Sequence, residues 1–190
     1  NPRIQVEHTV TEMVTGIDIV QSQILVAEGY DLASAEIGIP RQDAIQVTGH
    51  AIQCRITTED PANDFMPDTG TIASYRSPGG FGIRLDGGNG FQGSTITPFY
   101  DSLLLKVTAY SRSFEDTRRK AIRALRETEI KGVKTNIAFM LNVLNHPTFA
   151  AGDCDTGFIA NTPDLLDIAK VEDNELRVIE FLGNKFVNET

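Results

Sequence analysis

Residues 45–60, IQVTGHAIQCRITTED, switch the chain from a helical to an alternating pattern. Ile52, Cys54 and Ile56 fall on one face, and Gln53, Arg55 and Thr57 on the other. That alternation is the mark of a half-buried strand, whose successive side chains point to opposite sides of a sheet. Three later stretches read as strands too: TIASYR (71–76), FGIRL (81–85) and SLLLKVTAY (102–110). Between them stand DPAND (60–64), PDTG (67–70), SPGG (77–80) and DGGNG (86–90). These are turn sequences, in which glycine supplies positive φ and proline presets the bend. Closely spaced turns imply antiparallel pairing rather than long crossover connections.

On the carboxy-terminal side, FEDTRRKAIRALRETEI (114–130) predicts an amphipathic helix with Ala121, Ile122 and Leu125 inward and its arginines outward. NIAFMLNVLNHPTF (136–149) predicts a second helix, interrupted at His146-Pro147. NELRVIEFLGNKF (174–186) predicts a third, ending near Gly183 beyond the linker NTPDLLDIAKVED. On the amino-terminal side, EGYDLASAEIGIPRQDA (28–44) is a polar connector carrying Pro40, where a subdomain boundary is expected. Before it, Ile17, Val20, Ile24 and Leu25 repeat at helical spacing, with Gly29 placed to end the helix. Thr9 and Glu12 have capping-box spacing. The opening NPRIQVEHTVTEM reads as a strand. The expectation is an α+β fold: an antiparallel sheet over 46–112, with helices near 12–28, 114–129 and 135–145.

Composition narrows the function classes. The 190 residues carry a net charge of -9, which argues against nucleic-acid and anionic-membrane partners. Any anion site must be built locally. The two cysteines, Cys54 and Cys154, lack metal-ligand spacing and read as reduced thiols. With no apolar run of membrane-spanning length and no signal peptide in view, a cytoplasmic protein is expected. A chain opening on Asn-Pro-Arg in mid-strand is expected to be a piece of a longer one.

Arg3, Gln5 and Glu7 would share one face of that opening strand, about 7 Å apart along it. A guanidinium suits a planar oxyanion, which its fork binds through two parallel hydrogen bonds. A carboxylate beside such an anion makes chemical sense as a general base, held ionised by nearby cations. The plainer alternative is a solvated Arg–Glu surface pair. Arg55, in mid-strand, is either solvated or placed to stabilise negative charge on a substrate oxygen. SPGGFG and DGGNG match neither phosphate-loop pattern and are assigned to hairpins. His8 and His50 lack a second metal ligand at usable spacing, and Ser102 lacks a base.

These residues carry a family resemblance. NPRIQVEHTVTEM resembles the strand-to-helix passage R-x-Q-V-E-H-x-V-T-E that closes the ATP-grasp part of biotin carboxylases. GHAIQCRITTEDP, PGGFGIRLD and PFYDSLLLKV resemble the carboxy-terminal subdomain of the same enzymes, in the same order, and GVKTN (132–136) agrees. FMPDTG, GIRLDGGNGFQG and the tail RVIEFLGNKFVN resemble the pyruvate-carboxylating branch more than the acetyl- and propionyl-CoA branches. The resemblance implies three parts: the end of an ATP-grasp domain (1–44), the carboxy-terminal subdomain (45–162), and a linker and helix toward a following allosteric or tetramerisation region (163–190).

It also implies roles. Arg3, Gln5 and the Val6 backbone would hold bicarbonate, and Glu7 would deprotonate it. Arg55 would hold the ureido oxygen of biotin and stabilise its enolate, with Asp101 beside it. Asn1 would lie at the ATP and metal site, and Phe81 and Arg84 at a dimer contact. The implied cofactors are ATP, magnesium or manganese, and biotin borne on a biotinyl carrier domain elsewhere. The implied assembly is a homodimer of the domain within a homotetramer. The family's nucleotide lid and glycine-rich loop fall outside these 190 residues, so the chain alone is expected not to turn over. The competing readings are an acyl-CoA carboxylase and a self-standing dimerisation or regulatory module.

Overall fold

The computed structural model describes residues 3–88 and 90–168. Two helices come first, α1 (His8–Thr15) and α2 (Ile19–Ala27). Strand β1 (His50–Thr57) follows the connector, then the short ladder of β2 (Glu59–Asp60) with β3 (Met66–Pro67). Next come β4 (Gly70–Thr71), β5 (Ser74–Arg76), β6 (Ile83–Gly87), β7 (Thr95–Ile96) and β8 (Leu103–Ser111). Helix α3 (Phe114–Glu127), strand β9 (Glu129–Lys131) and helices α4 (Ile137–Asn145) and α5 (Pro147–Ala151) complete the labelled elements. The main sheet has the order β1-β8-β6, and every ladder is antiparallel. The α+β reading holds.

Alternation gives this sheet two unlike faces. Cys54, Ile56, Leu105, Val107 and Ala109 form the apolar one and pack with Ala121, Ile122, Ala124 and Leu125 of α3. Non-directional apolar burial suffices there. Burial also pushes the Cys54 thiol up to about 12, so it stays protonated and inert at neutral pH. Ser113 starts α3, its Oγ accepting from Asp116 N at 3.1 Å. A smaller cluster of Phe139, Phe158 and Leu165 holds the turn Pro163–Leu166 near α4.

Several local expectations are corrected. Residues 3–7 are not a strand; they bend and turn into α1, with His8 N bonded to Gln5 O at 3.1 Å. The alternation of exposed Arg3, Gln5 and Glu7 with half-buried Ile4 and Val6 survives without a ladder. The expected helix over 12–28 is two helices, because Gly16 takes positive φ (72°) and Asp18 caps a new start through Gln21 N. At its far end Gly29 N bonds Val26 O and Tyr30 N bonds Leu25 O, the paired closure of a glycine-terminated helix. Thr9 and Glu12 form no capping box: Glu7 is the N-cap residue of α1, and both side chains turn instead toward the sheet. Strand β1 begins at His50, not Ile45. TIASYR divides into β4 and β5, and β5 pairs with β9. The helix expected over 174–186 lies outside the described residues.

Candidate active site

The second face of the main sheet is polar. Cross-strand registers place Gln53, Thr108 and Arg84 in one row and Arg55, Lys106 and Asp86 in the next. Helix α1 lies on this face, and polar groups make the contacts. Thr9 Oγ1 meets Thr108 Oγ1 at 2.8 Å, and Gln53 Nε2 donates to Val6 O at 2.6 Å. Lys106 Nζ lies 3.2 Å from His8 Nε2, and Arg84 Nη1 donates to Glu12 Oε2 at 2.5 Å.

This anchoring ties the turn carrying Gln5, Val6 and Glu7 to β1, the strand of Arg55. Gln53 holds the Val6 carbonyl, and Arg55 is the next residue on the same strand face, about 7 Å along. Glu7 and Gln5 are exposed, and neither side chain has a hydrogen-bond partner among the described residues. Arg3 makes one contact, Nη1 to its neighbour Ile4 O at 3.4 Å. The Arg3–Glu7 surface pair therefore does not form. The guanidinium of Arg55 is likewise unpaired among the described residues, with Lys106 directly across the ladder. Like charges facing each other across strands are destabilising. On its other side Lys106 faces Asp86 of β6.

Arg55 also lines a polar cleft of about 450 Å³ together with Thr57, Glu59, Asp101, Ser102 and Asn136. Arg55 and Asp101, distant in sequence, thus meet in one cleft. Asp101 Oδ1 accepts from Leu103 N at 2.8 Å, which fixes its orientation. Glu59 accepts from Thr57 Oγ1 and from Ser102 Oγ, both at 2.9 Å, so Ser102 is a structural donor. Asn136 accepts from Thr57 N at 3.0 Å and donates to Arg55 O at 2.9 Å, clamping the strand at the arginine. Glu59, Asn136 and Lys106 were not singled out from sequence. The cation at Lys106, on the polar phase of SLLLKVTAY, was the one available signal.

Phe81 is 92% exposed at the tip before β6, with Lys120 Nζ 5.5 Å from its ring centroid. Gly82 makes this tip possible: its φ is 78°, and a Cβ there would meet Tyr110 O at 2.5 Å. Arg84, by contrast, turns inward. It donates to Asp86 from Nε and Nη2, both at 2.9 Å, and to Glu12 from Nη1. Asn1 lies outside the described residues, and so does the metal assignment placed on it. Among the described residues no cluster of three His, Cys, Asp or Glu could hold a metal ion. No helix there is long and apolar enough to cross a membrane.

Glu12 is 7% exposed. Burial alone would raise its carboxyl, but hydrogen bonds from Arg84 and Ile19 N, with His8 Nδ1 3.1 Å away, outweigh that and hold it below the ordinary 4.5. A carboxylate lowered in the folded state contributes stability that is complete above its unfolded value and lost as pH falls through the folded one. Melting temperatures of the wild type and Glu12→Gln are therefore expected to differ most near neutrality and to converge below 4.5. A gap independent of pH would mean that the charge on Glu12 contributes nothing.

Comparison with known proteins defines the class. Residues 53–161 match the model of the biotin carboxylase C-terminal domain, and residues 1–35 match that of the carbamoyl-phosphate synthase L chain, ATP binding domain. The chain belongs to the biotin carboxylase C-terminal domain family.

Its relatives within that family include pyruvate carboxylases. It is 58% identical over 188 residues to the pyruvate carboxylase of Staphylococcus aureus and 55% identical to that of Bacillus subtilis. Each match covers 99% of this chain and 16% of the relative, so the chain spans about a sixth of their length. The structure of a complete multifunctional pyruvate carboxylase from Rhizobium etli superposes with a TM-score of 0.90 at 48% identity, over 99% of this chain and 18% of that one. The biotin carboxylase domain dimer of Hydrogenobacter thermophilus 2-oxoglutarate carboxylase, solved with MgADP, ADP and bicarbonate, gives 0.83 at 41% identity, over 90% of this chain and 36% of that one. The chain is thus similar to part of the biotin carboxylase domain of pyruvate carboxylases.

Proposed function

We propose that this chain forms part of the site where an ATP-dependent carboxylase activates bicarbonate and carboxylates biotin, within an enzyme that passes the carboxyl group to pyruvate to give oxaloacetate. One observation carries the reading: Gln53 ties the turn of the unpaired Gln5 and Glu7 to the strand face that also carries the unpaired Arg55. Arg3 and Gln5 hold the planar anion, and the Val6 backbone, fixed by Gln53, shapes its pocket. Glu7 takes the bicarbonate proton, and the oxygen so freed attacks the γ-phosphate of ATP. A P–O bond forms and ADP leaves, giving carboxyphosphate. Its decay to carbon dioxide and phosphate keeps the attacking oxygen on phosphorus. Biotin, when bound, would supply the ureido nitrogen, which bonds carbon dioxide while its N–H proton passes to the phosphate just released. Arg55 donates to the ureido oxygen, where negative charge develops, with Asp101 in the same cleft.

The donor set fits these groups. Two guanidinium forks without carboxylate partners suit a planar anion and a developing oxyanion. The division near residue 44 is part of this reading, supported by family matches on either side of it. Phe81 and Arg84 are read as parts of a self-complementary dimer contact, since a large exposed aromatic beside an arginine suits an interface centre. Magnesium or manganese, the carrier domain, a tetrameric parent and a cytoplasmic location also belong to the proposal.

Oxygen-18 bicarbonate tests it. The enzyme that contains this stretch is expected to cleave ATP only with bicarbonate and to place one labelled oxygen in the phosphate released. Unlabelled phosphate would rule out attack by bicarbonate.

A further inference from the structure

We infer that Glu12 and Arg84 are positioning residues: their ion pair sets the rotation of α1 against the sheet, and with it the placement of the Gln5–Glu7 turn. The inference rests on the bicarbonate reading above and goes beyond it, because neither side chain faces the proposed substrates.

Glu12 joins three elements of the fold, α1, α2 and β6. Its Oε2 accepts from Arg84 Nη1 on β6 at 2.5 Å and lies 3.1 Å from His8 Nδ1, the first residue of α1. Its Oε1 accepts from Ile19 N, at the start of α2, at 3.0 Å. The other nitrogen of His8 meets Lys106, the cross-strand partner of Arg55. A polar chain therefore runs from the strand behind Phe81 to the cations at the candidate site. Asp86, gripping Arg84 through both its oxygens, fixes the far end.

Direction makes this arrangement suited to positioning. Apolar packing tolerates a helix turning about its own axis, whereas a charge-assisted bond from a planar fork does not. A slip of one residue turns a helix by about 100°. Glu7, the N-cap residue, would be carried with it. An ion pair with its carboxylate buried is by itself weak support for stability, so specificity of placement is the better account of keeping one here. At the same corner Phe81 points outward.

The test uses the full-length enzyme, with Glu12→Gln, Arg84→Lys and Glu7→Gln compared with wild type. KM for bicarbonate, KM for ATP, kcat per active site and sedimentation are measured for each. Glu12→Gln keeps the size and the bond to Ile19 N but loses the charge facing Arg84. It is expected to raise KM for bicarbonate by about 10–100-fold, because small misplacements cost that much. KM for ATP and the sedimentation profile should stay at wild-type values. Arg84→Lys keeps the charge but not the fork and should give a smaller rise; it carries the test if Glu12→Gln does not fold. Parallel losses for both substrates, or an unchanged bicarbonate KM, would overturn the inference. Glu7→Gln separates the two levels. If bicarbonate-dependent ATP cleavage survives in it, the site reading itself is wrong. If cleavage is lost there while Glu12→Gln keeps the wild-type bicarbonate KM, only the positioning inference fails.

Discussion

Glu7→Gln, made in the full-length enzyme, is expected to lower bicarbonate-dependent ATP cleavage by ~10²–10⁴-fold, the usual contribution of a general base. Glutamine keeps the length and hydrogen bonding of the side chain but cannot take the bicarbonate proton. Carboxyphosphate then fails to form, and carboxylation of biotin falls with ATP cleavage. Arg55→Gln acts on a later step, where loss of one oxyanion donor costs ~10²–10³-fold. Its carboxylation should collapse while ATP cleavage persists, because carboxyphosphate still forms and decays. The ratio of phosphate released to biotin carboxylated separates the two. It should rise for Arg55→Gln and not for Glu7→Gln; the reverse would exchange the roles of the two residues. Glu7 sits on the turn that Gln53 anchors, whereas Arg55 opens into the cleft with Asp101.

Leu105→Ala should destabilise the fold by about 2–5 kcal/mol, the range for truncating a buried leucine. Leu105 is 2% exposed in the central strand β8, opposite Ile56 on one side and Gly87 on the other. The alanine leaves a cavity under α3, in a cluster that cannot collapse without moving two ladders. Against a typical total of about 5–15 kcal/mol, that is a large share. The melting temperature should fall by between about 4 and about 20 °C. Phe81→Ala, at a position almost wholly in solvent, should stay within about 0.5 kcal/mol in the same assay. A loss below about 1 kcal/mol for Leu105→Ala would place the core elsewhere.

What the sequence determined by itself was local. Alternation across 52–57 and 102–110 and the glycine-proline turns between strands specify an antiparallel sheet, because strand faces and turn geometry are set by neighbouring residues. The apolar stripe of α3 follows for the same reason, at helical period. The family motifs in register named Arg3, Gln5, Glu7 and Arg55 before any geometry was known.

Only the tertiary structure decided which polar groups meet. The spacing of Thr9 and Glu12 is that of a capping box, yet Thr9 finds Thr108 and Glu12 finds Arg84, partners 99 and 72 residues away. A local pattern cannot foresee this, since a buried polar group takes whichever partner the packed fold brings within reach. The same holds for Lys106 beside Arg55 and for Glu59 and Asn136 in the cleft, placed by cross-strand register and chain return. Arg84, which the family resemblance places at a dimer contact, also binds two carboxylates of its own chain, Glu12 and Asp86. Desolvated charges must be paired, and only the folded chain determines with what.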